Sequence, residues 1–404
     1  STHCISSAAS DVYKRQPIDL ASIRLEFYSR VFPHNLSTIK VLKDNDTDVF
    51  ESASINPIAT GNATDEESVY ITLNENMYPD TDYKIVLAKG CIKDKLENDF
   101  EDMEYNFHTN SNPSVWVNNP DTLNTARSFL AGCGTQSASL AFGGLNGNVL
   151  ATTEKFNGAS WSTASNMNTA RGFLGGCGEQ SAALAFGGKV YTGSYYPSST
   201  ITEKFNDTSW ATTGTLITGS TGGIGSFGSQ NAAVRCGGSD SAGVSQINYM
   251  STDTSITEKF NGATWSTSSN LNTSATSAMS SCGTQNAGIK FGGGRGSGTN
   301  YSTFSYTEKF NGDTWSTSNN MLNDKSDLGG CGNQSLALAF GGRHTSSSNN
   351  VMSITEKFNG STWSATGNLN TGRNYLAGCG MQSAGLCFGG ANSAGALLNT
   401  TEKF

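Results

Sequence analysis

The chain has 404 residues, 36% apolar and 14% charged, which is long enough for two domains with cores of their own. Its net charge of −8 is carried by residues 1–112, where 19 acidic face 10 basic side chains, whereas the remainder is near neutral with 14 against 15. Without a basic stripe, nucleic acid is excluded as the expected partner, and no run of about 20 apolar residues offers a membrane-spanning helix.

The opening S-T-H-C-I-S-S-A-A-S-D-V-Y-K-R-Q has neither a starting Met nor the apolar stretch of a signal peptide, and residues 1–16 are expected to be a non-native or disordered leader. From 17 to 109 the apolar residues alternate with a period of two: Ile23, Leu25 and Phe27; Val69, Ile71 and Leu73; Tyr83, Ile85 and Leu87. That period predicts strands. P-I-D-L-A near the start, M-Y-P-D-T-D-Y-K-I-V-L, K-D-K-L-E-N and the closing Y-N-F-H-T resemble the bacterial immunoglobulin-like domains of surface proteins, which implies a β-sandwich. The acidic run at 44–48 lacks the Gly and distal Glu of a calcium loop and reads as solvated. N-S-N-P at 110–113 is the expected linker.

Beyond it one phrase governs the chain. T-E-K-F recurs with Phe156, Phe205, Phe260, Phe310, Phe358 and Phe404 as its last residue, at intervals of 46 to 55, and the first five copies are followed five residues later by Trp161, Trp210, Trp265, Trp315 and Trp363. A glycine pair (Gly143-Gly144 in the first copy) and a glutamine (Gln136 in the first) also recur once per period. Periods of this length built from short alternating segments, such as S-A-S-L-A-F, predict propeller blades of four strands. Asn-Gly after T-E-K-F predicts a hairpin turn. V-W-V-N-N at 115–119 is a tryptophan strand without the preceding three, and the last T-E-K-F is the converse fragment. Together they complete one blade, which predicts a six-bladed ring over 114–404 closed by an N-terminal strand.

The glycine pair ending the second strand, the aromatic in the third, the tryptophan opening the fourth and the arginines before the next first strand (Arg127, Arg171, Arg373) resemble the kelch repeat. The chain departs from it in having Phe for the usual Tyr, and in lacking the arginine before Ile224, Ala278 and Leu328. The fold expected is therefore all-β: a kelch-like propeller preceded by an immunoglobulin-like sandwich.

Five of the nine cysteines occupy one equivalent position, Cys133, Cys177, Cys282, Cys331 and Cys379, with Phe227 in the third copy. Equivalent positions on adjacent blades are about 10 Å apart, too far for a disulfide, so free thiols filling space near the axis are expected, as suits folding in a reducing cytosol. His344 is the lone histidine after the linker. The copper centre known on some kelch propellers needs a histidine pair, and the aspartate of a sialidase box is replaced by Phe260. No cofactor, metal or enzyme activity is expected.

What varies is the loop between the glycine pair and T-E-K-F, from 8 residues (145–152) to 18 (239–256). Because strands alternate in direction, these loops share one face with the linkers. Tyr195, Tyr196, Tyr249, Tyr301 and His344 lie in them, and Arg127, Arg171 and Arg373, each with an aromatic two residues on (Phe129, Phe173, Tyr375), lie in the linkers. Three guanidiniums at the channel mouth could hold carboxylated or sulfated glycans, with tyrosines stacking on sugar faces. The alternative is that the arginines brace loops. The function expected is non-enzymatic recognition or adhesion at a cell or phage surface, outside the cell, with a glycan or surface protein as partner. An intracellular kelch-type interaction scaffold and a secreted carbohydrate-active enzyme are the rivals.

Overall fold

A computed structural model describes residues 115–404, apart from 221–222, 241–251, 274–277, 297–300 and 345–349, and the backbone of eight strands in the first 114 residues. The chain divides into two compact units, Ser1–Ser114 and Val115–Phe404.

In the first unit all pairings are antiparallel. Ser22–Glu26 pairs with Ser68–Thr72 and Val31–Pro33 with Ile92–Asp94. Val49–Phe50, Ile39–Lys43, Thr81–Leu87 and Met103–Thr109 form a four-stranded sheet in that order. Of the residues read from their alternation, Ile23, Leu25, Val69, Ile71, Tyr83, Ile85 and Leu87 thus fall on strands, and Phe27 and Leu73 lie outside the described residues. An immunoglobulin-like arrangement is not evident from these strands alone, and the leader, the acidic run 44–48 and the linker lie outside the described residues.

The second unit is a six-bladed β-propeller. In the first blade Ala131–Gly134, Ser139–Phe142, Thr153–Phe156 and Trp161–Ala164 pair consecutively, with Phe156 opposite Trp161 across the Asn-Gly turn. Asn157 holds that turn by accepting the N–H groups of Ala159 and Ser160 on its Oδ1, at 3.0 and 2.8 Å. The sixth blade comprises Ala377–Met381, Ala384–Phe388 and Thr401–Lys403, and its outermost strand is Val117–Asn118, with Lys403 opposite Val117. The ring is closed as its sequence predicts.

Each letter of T-E-K-F has a partner that explains its recurrence. The threonine hydroxyl accepts the indole N–H of the next blade's tryptophan: Trp210 to Thr153, Trp265 to Thr202, Trp315 to Thr257, Trp363 to Thr307, Trp116 to Thr355 and Trp161 to Thr401, all at 2.9 to 3.1 Å. In the first five copies the phenylalanine is fully buried against its own blade's tryptophan, 5.0 Å between ring centroids for Phe156 and Trp161. The lysine reaches into the next blade's turn, as Lys259 does to the Gly312 carbonyl at 2.7 Å, and Lys155 lies over the ring of Phe205. The once-per-blade glutamine donates backwards to two carbonyls of the preceding blade, Gln180 to Ser139 and Phe156 at 2.9 and 2.6 Å, and Gln136 to Gly385 and Phe404 across the closure. Identical interfaces require identical letters, which is why the phrase repeats.

The glycine pair has φ of 66° and 107° at Gly143 and Gly144, a conformation L side chains avoid, and a Cβ on Gly143 would lie 2.7 Å from the Arg171 carbonyl. That close approach lets the loop turn outward beneath the following linker.

Candidate functional site

The glutamate of T-E-K-F decides the fate of the arginines. Glu203 accepts the backbone N–H groups of Asn168 and Thr169 at 2.7 and 3.3 Å, so it caps the linker that enters its own blade. Its carboxylate is fully buried and needs a counter-charge. Arg171 supplies it at 3.0 Å, Arg373 pairs with Glu402 at 2.6 Å, and Arg127 pairs with Glu154. All three guanidiniums have no exposed surface. The expectation that they face ligand at the channel mouth is therefore corrected: they brace linkers inside the blades. Burial pulls Arg171 down to about 10, against the pull of Glu203, and lowers Arg127 as well.

The blades without that arginine show how strictly the charge is balanced. In the fifth, Lys325 stands at the same linker position and pairs with Glu356 at 3.1 Å. In the third and fourth the cation comes from the second strand instead. Arg235 pairs with Glu258 at 3.8 Å and Lys290 with Glu308 at 3.4 Å, at the cross-strand position held by Ala141 in the first blade. Every buried glutamate has one cation, delivered from either of two places in the chain. Isolated arginine and lysine in otherwise apolar strands (A-A-V-R-C, A-G-I-K-F) were the signal, legible once the linker arginine was seen to be missing.

Two residues beyond the position that holds the linker cation in four of the blades, Phe129, Phe173, Gly223, Ala278, Asp327 and Tyr375 form a ring around one end of the axis, all with positive φ, between 53° and 73°. Their peptide groups bond head to tail: Phe129 N–H to Tyr375 O, Phe173 N–H to Phe129 O, Asp327 N–H to Ala278 O and Tyr375 N–H to Asp327 O, at 2.7 to 2.9 Å. Non-glycine residues take this conformation only where surroundings enforce it. Phe129 packs between Phe173 and Tyr375, with centroids 3.8 and 3.9 Å away. Lys189 flanks the stack over Phe173 at 5.3 Å and Arg343 over Tyr375 at 5.2 Å.

Arg343 also lies 4.9 Å over Tyr301, and its Nε donates to Asp327 at 2.6 Å, with the Ser326 hydroxyl on the same oxygen at 3.1 Å. Burial raises Asp327 above an ordinary carboxylate, opposed by Arg343, and raises Tyr301. Asp327 and Arg343 were not singled out in the sequence; Asp327 stands where three other blades carry an aromatic, Phe129, Phe173 and Tyr375.

Tyr195 is half-exposed, as is Tyr191, whose ring packs 4.9 Å from that of Tyr196. His344 is exposed on the same face, and Tyr249 lies outside the described residues.

Below the ring is a cavity of about 230 Å³ walled by the six innermost strands. The cysteines of these strands point at the next blade, Cys331 Sγ to the Met381 carbonyl at 3.4 Å and Cys133 to that of Glu179 at 3.6 Å. Seven described cysteines are buried free thiols, and burial raises Cys177, Cys236, Cys379 and Cys387 to about 12. Alkylation by iodoacetamide at mildly alkaline pH, read by peptide mass mapping, is therefore expected to spare these seven in the folded protein and label all of them after denaturation. Labelling of Cys133, Cys177, Cys282, Cys331 or Cys379 in the fold would show that the inner wall opens.

Among the described residues no group of three or more His, Cys, Asp or Glu side chains is placed to hold a metal, and no helix is long and apolar enough to cross a membrane. No protein-family model matches the chain, and no curated protein matches it at a significant level.

Proposed function

We propose that the chain is a non-enzymatic recognition protein of a cell or phage surface, a kelch-like propeller carried on an immunoglobulin-like spacer, that binds glycan or protein through its long-loop face. The observation that carries this reading is a division of labour. The repeated charged, aromatic and amide side chains are committed to neighbouring strands and blades, whereas the exposed tyrosines among the described residues, Tyr191, Tyr195 and Tyr306, are on the long-loop face, at 39 to 53% exposure. Exposed aromatics with a polar tip are the side chains that recognition surfaces use. Arg295 over Phe304, itself stacked on Tyr306 at 4.9 Å, extends the same surface.

Printed glycan arrays and a surface-protein panel test this. Each of Tyr191→Ala, Tyr195→Ala and Tyr306→Ala is expected to weaken whatever binding is found, by about tenfold where the ring is a central contact. Substitutions on the opposite face, such as Lys309→Ala, are expected to change binding little. Binding untouched by all three tyrosine variants would remove the face from consideration, and turnover on a sugar panel would favour an enzyme instead.

A further inference from the structure

After the linker Asn-Gly occurs five times, at Asn146, Asn157, Asn261, Asn311 and Asn359. The pair carries a chemistry of its own: with no side chain on the glycine to shield it, the glycine's peptide nitrogen can approach the side-chain carbonyl carbon of the asparagine before it. What holds that carbonyl decides whether it does. Four of the five are the blade turns, and there the group is clamped. Asn157, Asn261, Asn311 and Asn359 each accept two backbone N–H groups on Oδ1, from the residues two and three further on, at 2.8 to 3.0 Å. The glycine carbonyl of each turn accepts a lysine of the preceding blade, Lys403, Lys204, Lys259 and Lys309 in turn. Each turn also rests on a neighbouring hairpin: a Cβ on Gly158, Gly262, Gly312 or Gly360 would lie 3.1 to 3.5 Å from its nearest atom there.

Asn146 differs in each respect. It begins the exposed tip 146–148 of the first blade's loop, whose base is fixed where Leu145 pairs with Val149 and with Ser128. Within the tip the Asn146 N–H donates to the Asn148 carbonyl at 3.2 Å, but among the described residues neither the Asn146 side chain nor the Gly147 N–H has a partner. A Cβ on Gly147 would meet nothing within 4 Å. For the nitrogen to reach the carbonyl carbon at a blade turn, Oδ1 must leave two N–H groups, which slows the reaction roughly thirtyfold on the net worth of two hydrogen bonds. At Asn146 no side-chain bond has to break.

We infer that Asn146 is a self-modification site that deamidates spontaneously on the long-loop face, while the same reaction is held back at the four blade turns by their clamps. Base in the solvent takes the Gly147 N–H proton, the nitrogen bonds to Cγ of Asn146, and the Cγ–Nδ2 bond breaks with release of ammonia, leaving a cyclic imide. Water then opens the imide at either carbonyl. One opening gives aspartate; the other gives isoaspartate, in which the chain runs through the former side-chain carbonyl. One water is consumed and one ammonia released, with no oxidant or cofactor. Either product places a new negative charge on the rim of the first blade, and isoaspartate adds one carbon to the backbone of the tip. The pairing of Leu145 with Ser128 lies outside the reacting residues, so the blade beneath keeps its register. The inference is independent of the recognition reading, although it concerns the same face.

Ageing the full chain at mildly alkaline pH, followed by trypsin digestion and tandem mass spectrometry, tests this. Cleavage after Arg127, Lys155 and Arg171 puts Asn146 and Asn157 on different peptides, and fragmentation separates Asn146 from Asn148 on the first of them. In the folded protein Asn146 is expected to convert to a mixture of aspartate and isoaspartate at least tenfold faster than Asn157, Asn261, Asn311 or Asn359. The conversion should slow at mildly acidic pH, where the attacking N–H keeps its proton. In urea every clamp is lost, and all five asparagines are expected to convert at rates within a few-fold of one another. No conversion at Asn146 in the fold, or blade-turn conversion as fast as that of Asn146, overturns the inference. A gap that persists undiminished in urea overturns it as well, because the difference would then lie in the flanking sequence and not in the clamps.

Discussion

Replacing Arg127 with methionine is expected to destabilise the propeller by about 3–5 kcal/mol, because it leaves the carboxylate of Glu154 buried without a counter-charge. Both side chains are fully buried, so water cannot take over the solvation that the guanidinium provides. The third blade supplies the rescue: there Arg235, on the second strand directly opposite Glu258, does what the linker arginine does elsewhere. Adding Ala141→Arg, which places an arginine opposite Glu154 in the same register, is expected to recover a large part of the loss. Urea denaturation of the two single variants and the double variant forms a cycle that reads this directly. Ala141→Arg alone adds a second buried cation and should itself destabilise, so a favourable coupling in the double variant is the sign to look for. Additive losses would show that the two positions are not interchangeable and that the pairing in the third and fourth blades is coincidental.

Trp116→Ala is expected to cost a further amount of the same order, about 3–5 kcal/mol, through the lost burial of an indole that is 3% exposed. Its ring lies 4.7 Å from that of Phe340 and 5.2 Å from that of Phe404, and its N–H bonds to Thr355 at 2.9 Å. What separates Trp116 from the other five tryptophans is its place in the chain, since its strand is brought from before the first blade to complete the sixth. Removing Trp265, also buried at 6% exposure, should weaken one interface without freeing a strand. Removing Trp116 should release Val117–Asn118 from Thr401–Lys403 and expose that ladder. Hydrogen exchange at Glu402 and Lys403 is therefore expected to accelerate in Trp116→Ala far more than in Trp265→Ala. Equal rates in the two variants would mean that something other than this strand keeps the circle shut.

The repeat, the blade count and the closing strand were legible because they rest on spacing, and spacing survives in a single sequence. The role of the linker arginines was not. Arg127 and an aromatic two residues on look the same in sequence whether the guanidinium points at a ligand or at Glu154, since the distinction depends on which way a residue of positive φ turns the chain. The compensation by Arg235 and Lys290 escaped for a related reason: cross-strand register, fixed only when the second and third strands are paired, puts those side chains beside the glutamates. Asp327 and Arg343 are opaque in sequence because each is ordinary for a loop, and only the ring of neighbours makes them unusual.

Since every blade balances its own glutamate internally and presents the same threonine, lysine, tryptophan and glutamine to whichever blade adjoins it, a copied blade can be inserted beside any other without stranding a charge or mismatching an interface. Duplication and shuffling of whole units are then nearly free of electrostatic penalty, and the rim loops can diversify on a frame whose parts are interchangeable.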